Sequence, residues 1–147
     1  MKITEALVAE HLVFQNLLDH VEKVAPAMKT LAELKSLAAL TAAMLDAHSR
    51  TEDALLIAPL EPSFEQLGQR QTFHDEHHLI DENLALVQRA KNLKEARHLI
   101  LTTVVLARNH FDKEERIVFP MADKMLKAKT LNELGQSWLH QRKSTAG

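Results

Sequence analysis

The sequence predicts an all-α protein built as an up-down-up-down four-helix bundle with a short additional C-terminal helix. The 147 residues include only three glycines and no tyrosine, a composition that favours helix over sheet. Apolar residues recur every three or four positions along most of the chain, which is the period of an amphipathic helix. Four such segments are joined by short turns, and antiparallel neighbours are the simplest way to pack them.

The first helix is predicted to begin near Thr4, which can cap it, and to end at Pro26. His11 falls within the apolar face of this helix, so a polar residue interrupts that face close to its start. The second helix is predicted to open at Thr30, because Glu33 three residues later completes a capping box.

The second helix carries His48 and Glu52, which are four residues apart and therefore lie on one helix face. Pro59 is predicted to end this helix, and residues 59–62, with a proline at each end, are predicted to form a turn. Ser63 then starts a third helix that runs to about residue 91.

The third helix contains the histidines His74, His77 and His78. Its apolar face selects His77, because the residues three and seven positions later are Ile80 and Leu84. The corresponding residues after His78 are an aspartate and an alanine. We therefore predict His77 and His74 as the inward pair, with His78 as the alternative to either.

The fourth helix is predicted to begin between residues 93 and 95, and it repeats the pattern of the second. His110 and Glu114 are again four residues apart, and Pro120 again kinks or ends the helix. A short helix is predicted to follow from Thr130, and residues 1–140 are expected to form one domain with a polar, frayed tail over 141–147. The apolar face around His110 and Glu114 is predicted to consist of Leu99, Thr103, Leu106 and Ile117.

Composition excludes several classes of partner. The net charge is −2 and both signs of charge are interspersed, so we expect neither nucleic acid nor a membrane as partner. There is no cysteine, which rules out disulfides and thiolate ligands, and no signal-peptide pattern at the start. We therefore expect a cytoplasmic protein.

Antiparallel packing would bring the inward polar residues of all four helices to one level. Such a layer is expensive in an apolar interior unless it binds something, since one unpaired buried polar group costs about 1–3 kcal/mol. Imidazoles with two carboxylates and no sulfur favour iron, with manganese or zinc as possible substitutes, and carboxylates that can bridge favour two ions. Asp53 and Glu115 each follow a candidate ligand by one position and are expected to turn away into solvent.

These residues resemble the ligand pattern of the hemerythrin-like (HHE) domains over the chain from Thr4 to about Leu126. The segment from His110 to Pro120, HFDKEERIVFP, is the closest match. The resemblance implies a non-haem di-iron centre bridged by two glutamates and an oxygen species, with one iron position open to O2. Hemerythrins have two ligating histidines four apart on the third helix, which would instead select His74 and His78. The predicted metal ligands are His11, His48, Glu52, His74, His77, His110 and Glu114.

Three functions are compatible with this prediction. In the first, two iron ions bind O2, or a related small ligand such as NO or peroxide, for sensing, storage or delivery. In the second, the same centre is an enzyme that removes NO or peroxide or repairs iron centres, with an electron donor as partner. In the third, the protein is a metal-free helical interaction module.

Overall fold

A computed structural model describes residues 1–67 and 70–145, apart from the side chains of residues 64, 66–71 and 145. All regular structure among the described residues is helical, which confirms the all-α prediction. The helices are α1 (Ile3–Val24), α2 (Leu31–Glu52), α3 (Ala58–Leu67), α4 (Arg70–Arg89), α5 (Leu93–Lys113), α6 (Phe119–Met125) and α7 (Ala128–Thr145). A 3₁₀ turn (Ala25–Ala27) follows α1, and π-helical turns (Asp53–Ile57 and Glu114–Val118) follow α2 and α5.

Two apolar clusters form the core. The larger cluster lies between α1, α2, α4 and α5, and includes Phe14, Leu45, Ile80 and Phe111. The smaller cluster joins the first turns of α1 to α3, α6, α7 and the two π-helical turns. The buried histidines lie where one cluster gives way to the other. His11 lies in the sequence between Leu7 of the smaller cluster and Phe14 of the larger one, and His77 lies between Phe73 of the smaller and Ile80 of the larger. The candidate site is therefore a polar layer between two apolar regions.

Of the predicted helix starts, those at Thr30 and at residues 93–95 are confirmed, the start predicted at Thr130 lies two residues earlier at Ala128, and the predicted cap at Thr4 is wrong. The Thr30 hydroxyl accepts a hydrogen bond from the backbone N–H of Glu33, and α5 begins at Leu93 after an asparagine cap. Helix α1 begins at Ile3 instead of being capped by Thr4. The Thr4 hydroxyl instead donates a hydrogen bond to Asp123, so a contact between distant parts of the chain takes the capping group.

Pro26 ends the first helix as predicted, since α1 stops at Val24, and a π-helical turn interrupts the helix before Pro120, where a kink or an end was predicted. The prediction for Pro59 is wrong. The path continues through the turn Asp53–Ile57 into α3, so residues 59–62 are helical and Ser63 starts no new element. A π-helical turn precedes Pro59 and another precedes Pro120. A proline lacks the N–H that an α-helical bond needs and its ring crowds the carbonyl four residues earlier, and a wider turn relieves both problems.

The predicted third helix corresponds to parts of α3 and α4. Residues 68 and 69, within the predicted span, lie outside the described residues. Helix α4 ends at Arg89, two residues before the predicted end. Ile117 was predicted to face the core, but it is 47% exposed, and Val118 is buried instead, because the π-helical turn shifts the inward position by one residue.

Contacts between helix ends show how the long helices lie relative to one another. His11 near the start of α1 lies beside His48 near the end of α2. The Gln88 amide near the end of α4 donates to the Lys35 carbonyl near the start of α2. Arg97 near the start of α5 donates to the Ala25 carbonyl after the end of α1. Neighbouring long helices in these pairs therefore run in opposite directions.

Helix α7 packs against the start of α1 and continues to Thr145 through the segment predicted to be a frayed tail. Gly135 is required at this contact, because a Cβ atom there would collide with the Met1 carbonyl. Residues 146 and 147 of the predicted tail lie outside the described residues. Among the described helices, none is both long enough and apolar enough to cross a membrane.

Candidate metal centre

Six of the seven predicted ligands come together in the polar layer. They form two groups that share both glutamates, and in each group one ligand atom from every residue lies within 4.8 Å of the others. The first ligand group is His11, His48, Glu52 and Glu114, and the second ligand group is Glu52, His77, His110 and Glu114. All six residues are buried, with 9% of His77 exposed and less of the others.

The first ligand group joins α1 and α2 to the two glutamates. The Nε2 atom of His11 lies 3.2 Å from Oε2 of Glu114 and 3.2 Å from Nε2 of His48. The His48 Nε2 atom is 4.0 Å from Oε2 of Glu52. Both imidazoles therefore turn their Nε2 atoms toward the carboxylates, and Phe111 stacks on the ring of His11 with 4.2 Å between centroids.

The second ligand group has the same donors on α4 and α5. The Nε2 atom of His77 is 3.4 Å from Oε2 of Glu52 and 3.7 Å from Oε1 of Glu114. The His110 Nε2 atom is 2.5 Å from the same Glu114 oxygen. Each group thus offers two imidazole nitrogens and access to both carboxylates.

The shared carboxylates are poorly matched to a layer without cations. Both oxygens of Glu52 and of Glu114, both ring nitrogens of His77 and Nε2 of His110 are buried without a hydrogen-bond partner among the described residues. The short approaches between these atoms are contacts between charged groups that lack hydrogen-bond alignment. Such burial is costly unless a cation or proton satisfies the donors, so the residues present fit a metal centre.

Protons on the histidines balance the buried carboxylates in the metal-free protein. Burial opposes protonation of His11 and His110, but contact with Glu114 outweighs it and raises the pKa of both. Burial likewise opposes a charge on His77, and the surrounding carboxylates raise its pKa to about 12. Burial and then the charge of Glu114 raise the pKa of Glu52, whereas the histidines hold the pKa of Glu114 low despite its burial.

The outer nitrogen of each histidine faces a carboxylate from a neighbouring helix. Nδ1 of His48 is 2.7 Å from Glu10, Nδ1 of His110 is 2.7 Å from Glu76, and Nδ1 of His11 is 2.9 Å from Glu115. Nδ1 of His77 is 3.6 Å from Asp53. The four pairs join α1 to α2, the turn after α2 to α4, α4 to α5, and the turn after α5 to α1, so they close a ring around the layer. We call Glu10, Asp53, Glu76 and Glu115 the outer carboxylates.

The outer carboxylates orient the imidazoles. A carboxylate that accepts from Nδ1–H leaves the Nε2 lone pair free to bind a cation, and such partners also raise ligand basicity. Burial disfavours the charge on Glu10, but hydrogen bonds with His48 and Arg142 outweigh it and lower the pKa of Glu10 to about 2. Glu76 also has a lowered pKa, because hydrogen bonds with Lys113 and His110 outweigh its burial.

The outer carboxylates were missed by sequence reasoning. Asp53 and Glu115 were expected to point into solvent, yet they are only 41% and 42% exposed and reach His77 and His11. The π-helical turns at these positions alter the direction of each side chain. The sequence does contain a pattern that could have indicated them. An acidic residue is adjacent to a ligand in each of the four ligand-bearing segments, in the pairs Glu10–His11, Glu52–Asp53, Glu76–His77 and Glu114–Glu115.

The structure does not bring His74 into the layer. His74 and its alternative His78 are exposed and belong to neither ligand group. Residues 74 and 78 lie one position beyond the inward positions 73 and 77, about 100° around the helix. The inward residue one turn before His77 is Phe73, whose ring centroid is 6.1 Å from that of His110. Neither group therefore includes a third histidine.

The geometry can be compared with known proteins. The sequence pattern of the hemerythrin HHE cation binding domain family matches residues 2–122, which include all four ligand-bearing helices. The chain belongs to the hemerythrin HHE family. Searches of curated proteins and of solved structures find no match.

Family membership and geometry agree on the chemistry of this layer. The matched residues contain both ligand groups and all four outer carboxylates, whereas α7 begins six residues after the match ends. This HHE domain therefore has a histidine and glutamate cluster that is able to bind metal cations.

Proposed function

We propose that this HHE protein binds two iron ions, one in each ligand group, and that the reduced centre binds O2 reversibly for sensing, storage or delivery. The observation that carries the proposal is the pair of buried glutamates, whose four oxygens lack hydrogen-bond partners among the described residues. Two carboxylates shared between two groups suit a pair of bridged cations. Oxygen and imidazole donors without sulfur suit iron in particular.

The second ligand group supports binding of a small ligand. A cavity of about 10 Å³ adjoins it and is lined by both of its histidines, by Ser49 and by four apolar residues, Leu45, Ile80, Ala107 and Phe111. This volume is close to the minimum for one water molecule, so the cavity suits a molecule of only a few atoms. The two irons together would supply the electron pair for O2 binding, while the protein supplies donors and an apolar wall.

The proposed topology is an up-down-up-down four-helix bundle of α1, α2, α4 and α5. It is supported by the contacts between opposite helix ends at Arg97, Gln88 and the His11–His48 pair. In this arrangement, every ligand-bearing segment lies at one level, so a single layer can hold both ions.

The test is an optical spectrum of iron-loaded protein, reduced without air and then exposed to O2, with iron assayed on the same sample. We expect two irons per chain and a ligand-to-iron charge-transfer band that appears with O2 and disappears when O2 is removed. Two irons that oxidise quickly without a persistent oxygenated species would instead favour the enzymatic alternative, removal of NO or peroxide or repair of iron centres. Folded protein that takes up no iron would refute the proposed centre.

A further inference from the structure

Helix α7 reaches the metal layer although the matched part of the chain ends before it. Trp138 donates a hydrogen bond of 3.0 Å from Nε1 to Oε1 of Glu10, and Arg142 donates from Nε to the same oxygen. The other oxygen of Glu10 accepts from Nδ1 of His48. A continuous hydrogen-bonded path therefore runs from α7 to a histidine of the first ligand group.

Arg142 also binds the end of α2 at two residues, Ala47 and Thr51, which are adjacent in sequence to His48 and Glu52. Its Nη1 atom donates to the Thr51 hydroxyl at 2.9 Å, and its Nη2 atom donates to the Ala47 carbonyl at 3.4 Å. The Arg142 guanidinium lies 5.9 Å from the ring of Trp138. One side chain of α7 thus holds both the partner of His48 and the backbone that carries this ligand.

The neighbouring outer carboxylates have no such connection to α7 in the described contacts. Glu76 is held by Lys113 of α5, within the matched part of the chain. Glu10 is only 13% exposed, compared with 26% for Glu76 and more than 40% for Asp53 and Glu115. Glu10 is therefore the outer carboxylate with the least freedom, and α7 supplies the contacts that restrict it.

We propose that helix α7 positions the first ligand group, because Trp138 and Arg142 hold Glu10 against His48. The inference rests on the proposed metal centre and adds to it a role for the C-terminal helix. Trp138 and Arg142 are positioning residues that act through Glu10, which is the residue that both of them contact next to His48. Removing them frees Glu10 and lets the imidazole of His48 rotate, which weakens one ion and spares the other.

The test uses Co²⁺ as the probe in the full-length protein, with Arg142→Ala, Trp138→Phe and Arg108→Ala compared with the wild type. Arg108 is a matched control, since it also bridges two helices through Asp19 and Glu22, is 29% exposed compared with 24% for Arg142, and forms these two ion pairs with residues of α1 that are neither ligands nor outer carboxylates. Chelator competition gives the two dissociation constants, and proton NMR detects the shifted, exchangeable Nδ1–H signals of histidines bound to Co²⁺.

We expect Arg142→Ala to weaken one of the two Co²⁺ ions by about tenfold, the lower end of the effect of outer-partner changes. One exchangeable histidine signal should broaden, and Arg108→Ala should leave both ions and all signals as in the wild type. Trp138→Phe removes the indole N–H that donates to Glu10 and keeps an aromatic ring, so it should speed exchange of the same signal even if Arg142→Ala folds poorly.

Two outcomes would overturn the positioning role alone. The first is that both α7 variants bind the two ions, and give the histidine signals, as the wild type does. The second is that Arg142→Ala weakens both ions to the same extent and Arg108→Ala does the same. Failure of the wild-type protein to bind two Co²⁺ ions would instead overturn the metal centre itself, and this inference with it.

Discussion

The two ligand groups have the same donors but different surroundings. In the first group, His11 and His48 are 0% and 2% exposed, and their outer nitrogens are hydrogen-bonded to Glu115 and Glu10. In the second group, His77 is 9% exposed and its outer nitrogen is 3.6 Å from Asp53, beyond hydrogen-bond distance.

The two groups also differ in the space beside their histidines. The cavity of about 10 Å³ adjoins both histidines of the second group. The first group instead has the stacked ring of Phe111 over His11 and the contacts of α7 behind His48. Two sets of identical donor residues can therefore differ in how tightly the surrounding residues restrict their side chains. We infer that the first group holds its ion rigidly and that the second exchanges a small ligand.

The largest expected effect comes from Glu114→Gln, because this carboxylate belongs to both groups and lies near His11, His77 and His110. Both ions should bind more weakly by more than the ~100-fold upper range for outer-partner changes. Isothermal titration with Fe²⁺ measures the loss. Glu22→Gln on exposed α1 surface is the control, and loss of only one ion in Glu114→Gln would contradict a shared ligand.

Single histidine substitutions should separate the groups. We expect His48→Ala to lose the ion of the first group and His77→Ala to lose the ion of the second, each leaving one metal per chain. Metal analysis after gel filtration gives the stoichiometry, and neither variant should show the reversible O2-dependent band, because an electron pair for O2 requires both irons. Melting temperatures with and without metal test the alternative of a metal-free module, which requires that added metal stabilise neither the wild type nor either variant.

Binding at the second group should strengthen as the pH rises. His77 and His110 have raised pKa values in the metal-free protein, so an entering cation must displace their protons. For each proton released, the apparent affinity should rise about tenfold per pH unit. Titrations of His48→Ala, which retains only this group, measure the slope, and a flat profile would contradict proton displacement.

The same protons act on the stability of the metal-free protein in the opposite direction. A histidine whose pKa is raised on folding contributes stability that is full below its unfolded pKa of about 6.5 and is lost as the pH rises toward the folded value. For His77 the folded value is about 12. The metal-free protein should therefore melt at lower temperature at about pH 9 than at about pH 7, whereas Fe²⁺ binding tightens over the same range.

The smallest effect is expected from Phe73→His, which would add a third histidine beside the second group. Phe73 is 3% exposed and one turn before His77. The second ion should bind a few-fold more tightly, and the O2-dependent band should weaken because the added imidazole competes for the open position. Phe73→Leu, which removes the aromatic ring without adding a donor, should leave the affinity of the second ion unchanged, and equal effects of both variants would refute this explanation.

Much of the site could be predicted from spacing alone. Two residues four apart share a helix face, so the spacing by itself pairs His48 with Glu52 and His110 with Glu114. The apolar frame around His77 likewise selects the histidine that the fold brings into the layer. Spacing alone does not exclude His74 as a ligand. Each residue rotates about 100° around a helix, so a residue next to an inward position lies near the edge of the inward face.

Helix continuity was less predictable. A proline in the sequence indicates a disturbed helix, but it does not determine whether the chain breaks or widens into a π-helical turn. The segments before Pro59 and Pro120 widen, which keeps the helical path continuous into α3 and α6 and changes where Asp53, Glu115 and Ile117 point. One added residue in a helical turn changes the chain length little, but it changes the direction of the following side chains by a large angle.

Periodicity within single helices predicts the helical class, the approximate positions of the long helices and seven candidate donors, of which six lie in the layer and His74 does not. Only the tertiary structure decided the partners of those donors. The outer carboxylates reach across to neighbouring helices, and α7 returns from the far end of the chain to hold Glu10. Such contacts depend on how helices pack and rotate against one another, which the periodicity of any one helix does not specify.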